Sequence, residues 1–207
     1  MKTNRFWRWG LRAILIMVLF GAALFAMSGS ASAGSKEKAI RWDIVSVDFA
    51  TGTLNAGGIA SATAIDGSMI TLTGHGTFVP GDGFGNQEVT GGGTWQTFDP
   101  SGTPTASGTY KVTGFVRWTA APGTPPLPND NIGEREDQSA GLVFVAIRYS
   151  NGSTGVLTVS CHLVGSPNSI FEGIRVSMGF VDYWNGKAPP APPGNANRTN
   201  FHILDED

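Results

Sequence analysis

The chain has 207 residues, 14 basic and 16 acidic side chains, a formal net charge of −2 and a charged fraction of only 14 %. This weakly acidic balance carries no electrostatic footprint for nucleic acid or for an anionic membrane surface. A single cysteine, Cys161, excludes an intramolecular disulfide, and 29 glycines with so few charges argue against long amphipathic helices.

Residues 1–33 read as an export signal. Lys2, Arg5, Arg8 and Arg12 form a basic start, and an apolar run follows from Ala13 to about Phe25. That run is short of the ~20 residues a membrane span needs. Small residues ending in Ala31-Ser32-Ala33 supply the cleavage site, which predicts a secreted protein with no stable membrane insertion once the signal is removed. The rest, Gly34 to Asp207, is expected to form one domain. Removing the signal takes 4 of the 14 basic residues and none of the 16 acidic ones, leaving a net charge of −6.

The first expected strand runs from Ile40 to Phe49. Its apolar positions change parity between Ile44 and Val45, which predicts a bulge or burial on both faces. Thr51 to Asp66 offers mostly Gly, Ala, Ser and Thr, enough for an edge strand. In the next strand Ile70, Leu72, Gly74, Gly76 and Phe78 share one face, and Thr71, Thr73, His75 and Thr77 the other. A turn at Pro80-Gly81-Asp82-Gly83 leads to a strand from about Gln87 to Phe98, and Asp99-Pro100-Ser101-Gly102 reverses the chain. The following strand, Thr109 to Trp118, places Tyr110, Val112, Val116 and Trp118 on one face against Lys111, Thr113 and Arg117.

Residues 120–138 form an expected Pro-rich loop, long enough to be functional or mobile. Gly141 to Val164 predicts a hairpin with Asn151-Gly152 at the centre of a two-residue turn. That register puts Leu142, Phe144 and Ala146 on the face of Leu157, Val159 and Cys161; a longer loop through Ser153 would exchange the faces. A strand from Ile174 to Trp184, a Pro-rich turn at Pro189 to Pro193, and a closing strand at Thr199 to Leu204 complete the chain.

Gly-Thr-aromatic occurs three times, at Gly76-Thr77-Phe78, Gly93-Thr94-Trp95 and Gly108-Thr109-Tyr110. The spacing suits one strand plus one turn, and the glycines suit strongly coiled strands. The fold class expected is all-β: a small antiparallel, mostly up-and-down barrel of about eight strands, with a two-sheet sandwich as the alternative.

Reactive patterns are sparse. His75, His162 and His202 show no metal-ligand spacing, so no metal site is expected, and no cofactor motif is present. Gly91-Gly92-Gly93 lacks the helix and lysine of a phosphate cradle. Cys161 and His162 are neighbours on a strand and point to opposite faces, and the apolar parity of Cys161 makes it a buried thiol. The acid or base candidates are Asp182, which shares parity with Phe180 and Trp184, and His162 and His75 on Thr/Ser-rich faces.

On Gly74-His75-Gly76-Thr77-Phe78, Gly91-Gly92-Gly93-Thr94-Trp95 and Ser107-Gly108-Thr109-Tyr110, two resemblances arise. The stretch from Gly91 to Trp184, with Val159-Ser160-Cys161-His162-Leu163 and Gly179-Phe180-Val181-Asp182-Tyr183-Trp184, resembles uncharacterised exported bacterial proteins. The glycine-rich meander is similar, over about half the chain, to the allene-oxide-cyclase and dirigent type of barrel. That likeness implies a barrel fold and transfers no catalytic residue.

The leading expectation is a non-enzymatic secreted barrel binding a small, partly apolar molecule at its open end, lined by Tyr110, Trp118, Phe180 and Trp184 with Asp182 as a polar contact. One alternative is a cyclase or isomerase using Asp182, His162 or His75. The other is an envelope or matrix protein acting through its surface. Oligomeric state is left open.

Overall fold

The computed structural model describes residues 38–81, 88–186 and 197–205. The expected export signal, most of the turn after Pro80 and the turn from Pro189 to Pro193 lie outside the described residues.

Six strands close into a ring in which every pairing is antiparallel. They are β1 (Ile40–Asp48), β5 (His75–Phe78), β6 (Gly92–Phe98), β7 (Pro104–Ala121), β9 (Gln138–Tyr149) and β14 (Arg198–Ile203), joined in that order and back to β1. Further strands extend this barrel: β2 (Thr53–Ala56), β3 (Ala60–Thr63), β4 (Met69–Leu72), β8 (Asn129–Asp130), β10 (Thr154–Cys161), β11 (Gly173–Met178), β12 (Val181–Tyr183) and β13 (Asn185–Gly186). From β9 they run through β10 and β11 to β12. From β6 they run through β4 and β3 to β13, which Trp184 alone separates from β12. The fold is an all-β, mostly antiparallel small barrel, and the sandwich alternative falls to this closure.

The Gly-Thr-aromatic repeat has a packing reason. Trp42 lies opposite Gly76, Tyr110 opposite Gly93, and Trp95 opposite Gly108. Each buried aromatic therefore faces a glycine across the strands. A Cβ on Gly76 would lie 2.7 Å from Trp42 Nε1, and one on Gly108 3.0 Å from Trp95 Nε1. Glycine makes the room that the indoles need. The threonines of the repeat face outward, where Thr77 pairs with Thr90 and Thr94 with Thr73, each at 2.7 Å between hydroxyls.

The ring encloses side chains, not a channel. Ile40, Trp42, Ile44, Phe78, Trp95, Tyr110, Phe115, Val143, Val145, Ile147, Tyr149 and Phe201 belong to one buried cluster. Its rings meet at packing distance, with Phe78 and Phe115 at 5.5 Å and Trp118 and Phe201 at 4.7 Å between centroids.

Three expectations are corrected by local geometry. The β9–β10 register pairs Val145 with Leu157, Val143 with Val159 and Gly141 with Cys161, one residue away from the two-residue turn. The reason lies in the loop. Gly152 has a φ of 90° but Asn151 does not enter the positive region, so a turn needing both is not made. Asn151 Oδ1 instead accepts the Ser153 N–H at 3.0 Å, and Tyr149 N–H bonds Ser153 O at 2.9 Å.

In β7, irregularities between Val112 and Gly114 and between Phe115 and Arg117 shift the parity, so Phe115 enters the core where Val116 was expected. The expected strand from Ile174 to Trp184 is a hairpin. Met178 pairs with Val181, and Gly179, at φ 58°, opens the two-residue turn with Phe180.

Residues 120–138 are built rather than loose. β7 continues to Ala121, β8 pairs with β2, and a 3-10 turn spans Arg135–Asp137. Arg135 donates to the carbonyls of Leu127 and Pro125 at 2.8 and 2.7 Å, and Ser166 Oγ donates to Pro122 O at 2.8 Å.

Candidate functional site

The parity change in β1 marks burial on both faces. Ile40, Trp42 and Ile44 enter the barrel core, while Val45 and Val47 point outward and are just as buried. They form a second cluster with Leu54, against which Leu127 and Ile132 pack. Residues 127–132 thus roof the outer face of β1 and β14.

The same roofed face carries a buried polar row. The register sets Arg198 opposite Val45, Asn200 opposite Asp43 and His202 opposite Arg41. Arg41 holds Asp43 through two bonds of 2.7 and 2.8 Å, and Asp43 is 1 % exposed. Asp130, from the roof, meets His202 Nε2 at 2.8 Å and accepts from the Ile132 N–H at 2.8 Å and from Gln138 Nε2. Burial opposes the Asp130 carboxylate, but the bonds from His202, Ile132 and Gln138 outweigh it and hold its pKa below the usual value. These contacts pin the roof to the barrel.

Beside this row lies a cavity of about 110 Å³. Val45, Val47, Phe49, Leu54, Leu127 and Leu163 give it apolar walls, and Gln138, Cys161, His162, Glu172, Arg198, Thr199 and Asn200 supply polar atoms. Glu172 enters from the turn before β11. Its Oε2 accepts the His162 N–H at 2.6 Å and its Oε1 the Thr199 N–H at 2.8 Å. Burial raises its pKa to about 7, against the pull of these bonds and of the Arg198 charge.

Arg198 is the least committed group. Its Nε is buried and has no hydrogen-bond partner among the described residues, and its guanidinium stands 5.7 Å from the Phe49 ring centre. His162 Nδ1 lies 2.8 Å from Ile170 O, a pure acceptor, so the proton sits on Nδ1 and Nε2 keeps its lone pair in the neutral ring. The Cys161 thiol is 1 % exposed and burial pushes its pKa well up, so it is no nucleophile.

The residues singled out from the sequence are not brought together in this cavity, though His75 and Tyr110 both line a separate surface depression beside Arg41 and Lys111. Tyr110 is buried in the barrel core and donates its hydroxyl to Thr73 O at 2.9 Å. Trp118 packs on Phe78 and Phe201 in the same core. Phe180 is fully exposed and Trp184 half-exposed, because the chain turns at Gly179 and ends the alternation that had linked them to Ile174. Asp182 is exposed opposite Ser177, and His75 is exposed on β5. Of these seven, only His162 lines the cavity.

Glu172 and Arg198 were missed from the sequence, and so were Asp130 and His202 as partners. One signal was present: Arg198, Asn200 and His202 alternate with the buried Thr199 and Phe201 in the closing strand. Among the described residues no group of three or more His, Cys, Asp or Glu side chains is placed to hold a metal ion. No helix among them is long and apolar enough to cross a membrane.

Fold and site together define a small antiparallel β-barrel with a roofed cavity on its outer wall, an architecture often used to hold ligands. Compared with known proteins, the chain matches no family model, no curated protein and no solved structure.

Proposed function

We propose that this chain is an exported, non-enzymatic binding protein that holds a small, partly apolar molecule in the cavity beside the roof. The observation that carries the reading is the meeting of an apolar wall, Val45, Val47, Leu54 and Leu127, with a guanidinium whose Nε has no partner among the described residues and a carboxyl of raised pKa. The packed barrel core leaves the outer wall as the place for a ligand. Asp182, His75 and His162 stand on separate elements, which weighs against the cyclase or isomerase alternative. The likeness to exported bacterial proteins and the basic-apolar-small start of the chain support export.

Native mass spectrometry on protein purified from its own culture medium tests this. A ligand should show as excess mass that vanishes on denaturation and is absent from Leu127→Trp, which fills the cavity. Excess mass retained in that variant would move the site elsewhere. A bare mass, with no response to small amphiphiles in ligand-observed NMR, would end the binding reading.

An interaction role at the surface draws support from one observation. Ile65, Phe180 and Trp184 are large apolar side chains left exposed. Self-association through them predicts an oligomer in sedimentation velocity that Phe180→Ser weakens.

A further inference from the structure

We propose that the cavity takes a short monocarboxylic acid, its carboxyl group seated between Arg198 and Glu172 and its hydrocarbon end against Val45, Val47, Leu54 and Leu127. The inference rests on the cavity-binding reading above and assigns the chemistry of the ligand.

Charge comes first. A guanidinium is always protonated and offers five donors in a planar fork. Here its Nε is shut away from solvent and bonds to nothing described. A buried donor left open is costly, and the cost is relieved when an acceptor arrives. Glu172 is not the partner of this Nε in the structure; the two carboxyl oxygens take backbone N–H groups, from His162 and from Thr199. Arg198 Nε therefore has no acceptor among the described residues, and a planar carboxylate fits the fork.

Glu172 then selects among anions. It shares the cavity with Arg198, so a dianion such as a phosphate monoester would stand against a second carboxylate. A monocarboxylate meets less repulsion, and it can share one proton with Glu172 when that side chain takes up a proton near neutrality. The titratable groups lining the cavity are Glu172, Arg198, His162 and Cys161. His162 turns its N–H to Ile170 O and Cys161 stays a thiol, so neither adds a negative charge.

Size limits the rest. The cavity is about 110 Å³, against the ~150 Å³ of an apolar cavity known to admit benzene. A carboxyl group with two to four carbons behind it fills that space. Such a tail lies against Val45, Val47 and Leu54, which form one apolar cluster.

The test compares butyrate, butanamide, butanol and propylphosphonate on the full chain by ligand-observed NMR and calorimetry at pH 6 and pH 8. Butyrate should bind at least about tenfold more tightly than butanamide at pH 6, and more weakly at pH 8. Arg198→Met should remove the preference for the acid while leaving weak butanol binding. Glu172→Gln should keep the preference and flatten its pH dependence. Equal or tighter binding of butanamide or butanol would overturn the carboxylate assignment and leave the cavity reading standing. Preference for propylphosphonate would overturn it in favour of a tetrahedral oxyanion. Binding of none of the four would count against both readings.

Discussion

Replacing Glu172 by glutamine should shift stability in the variant's favour by about 3 kcal/mol between pH 4 and pH 8. The carboxyl has an ordinary pKa of 4.5, which burial raises to about 7 in the folded state. Between those two values the folded chain holds a proton that the unfolded chain has released. Linkage then lowers stability as pH rises, by about 1.4 kcal/mol per unit. Over roughly 2.5 units the loss is about 3 kcal/mol, so the contribution is intact below pH ~4.5 and gone above pH ~7. Glutamine matches the carboxyl in shape and does not titrate; its NH2 cannot accept the second of the backbone N–H bonds from His162 and Thr199, a cost that does not vary with pH. Relative to the parent, the variant should gain about 3 kcal/mol between pH 4 and pH 8.

Urea unfolding followed by the fluorescence of the buried Trp42 and Trp95 measures both at pH 4, 5, 6, 7 and 8. The difference between the two curves cancels every other titrating group. Parallel curves would refute the reasoning. That result would mean that the backbone N–H bonds from His162 and Thr199 outweigh burial at this carboxyl.

Other consequences are as direct. Gly93→Ala should be destabilised by more than about 4 kcal/mol, because its Cβ would lie 1.9 Å from Thr73 O; Gly152→Ala, at φ 90° with open space around it, should lose only about 1 kcal/mol, and thermal melts distinguish the two. Asp130→Ala removes the acceptor shared by His202, Ile132 N–H and Gln138, which should lower stability by about 3 kcal/mol and open residues 122–137 to limited proteolysis. Lys111 lies directly opposite Arg148 on the outer face, so Lys111→Glu should raise stability by about 0.5 kcal/mol in low salt and less in high salt.

What could be read along the chain was whatever repeats locally. Alternation separated Ile70, Leu72 and Phe78 from Thr71, Thr73 and Thr77, and the structure buries the first set. The Gly-Thr-aromatic phrase announced coiled antiparallel strands, and Asp99-Pro100-Ser101-Gly102 announced a turn that Asp99 closes by accepting the Ser101 and Thr103 N–H groups. Parity failed where one residue displaced it. The bulges in β7 brought in Phe115, the loop at Gly152 exchanged the faces of β9 relative to β10, and Gly179 broke the link from Val176 to Trp184. A pleat has a period of two, so a single inserted or turning residue inverts every later assignment.

The amino-acid sequence by itself determined the all-β class, the reversal at Asp99-Pro100-Ser101-Gly102 and the lone buried thiol, because these depend on residues near one another in the chain. Tertiary structure alone decided the ring of six strands, the filling of that ring by aromatic side chains, and the site on its outer wall. Glu172 and Arg198 are separated by a segment with no pattern that links them, and they reach one cavity only because β14 pairs with β1 while residues 122–137 close over both. Val45 and Val47 had already broken the alternation of β1. The residue that covers them, Leu127, lies far along the chain, and such a partner is set by closure of the barrel rather than by local order.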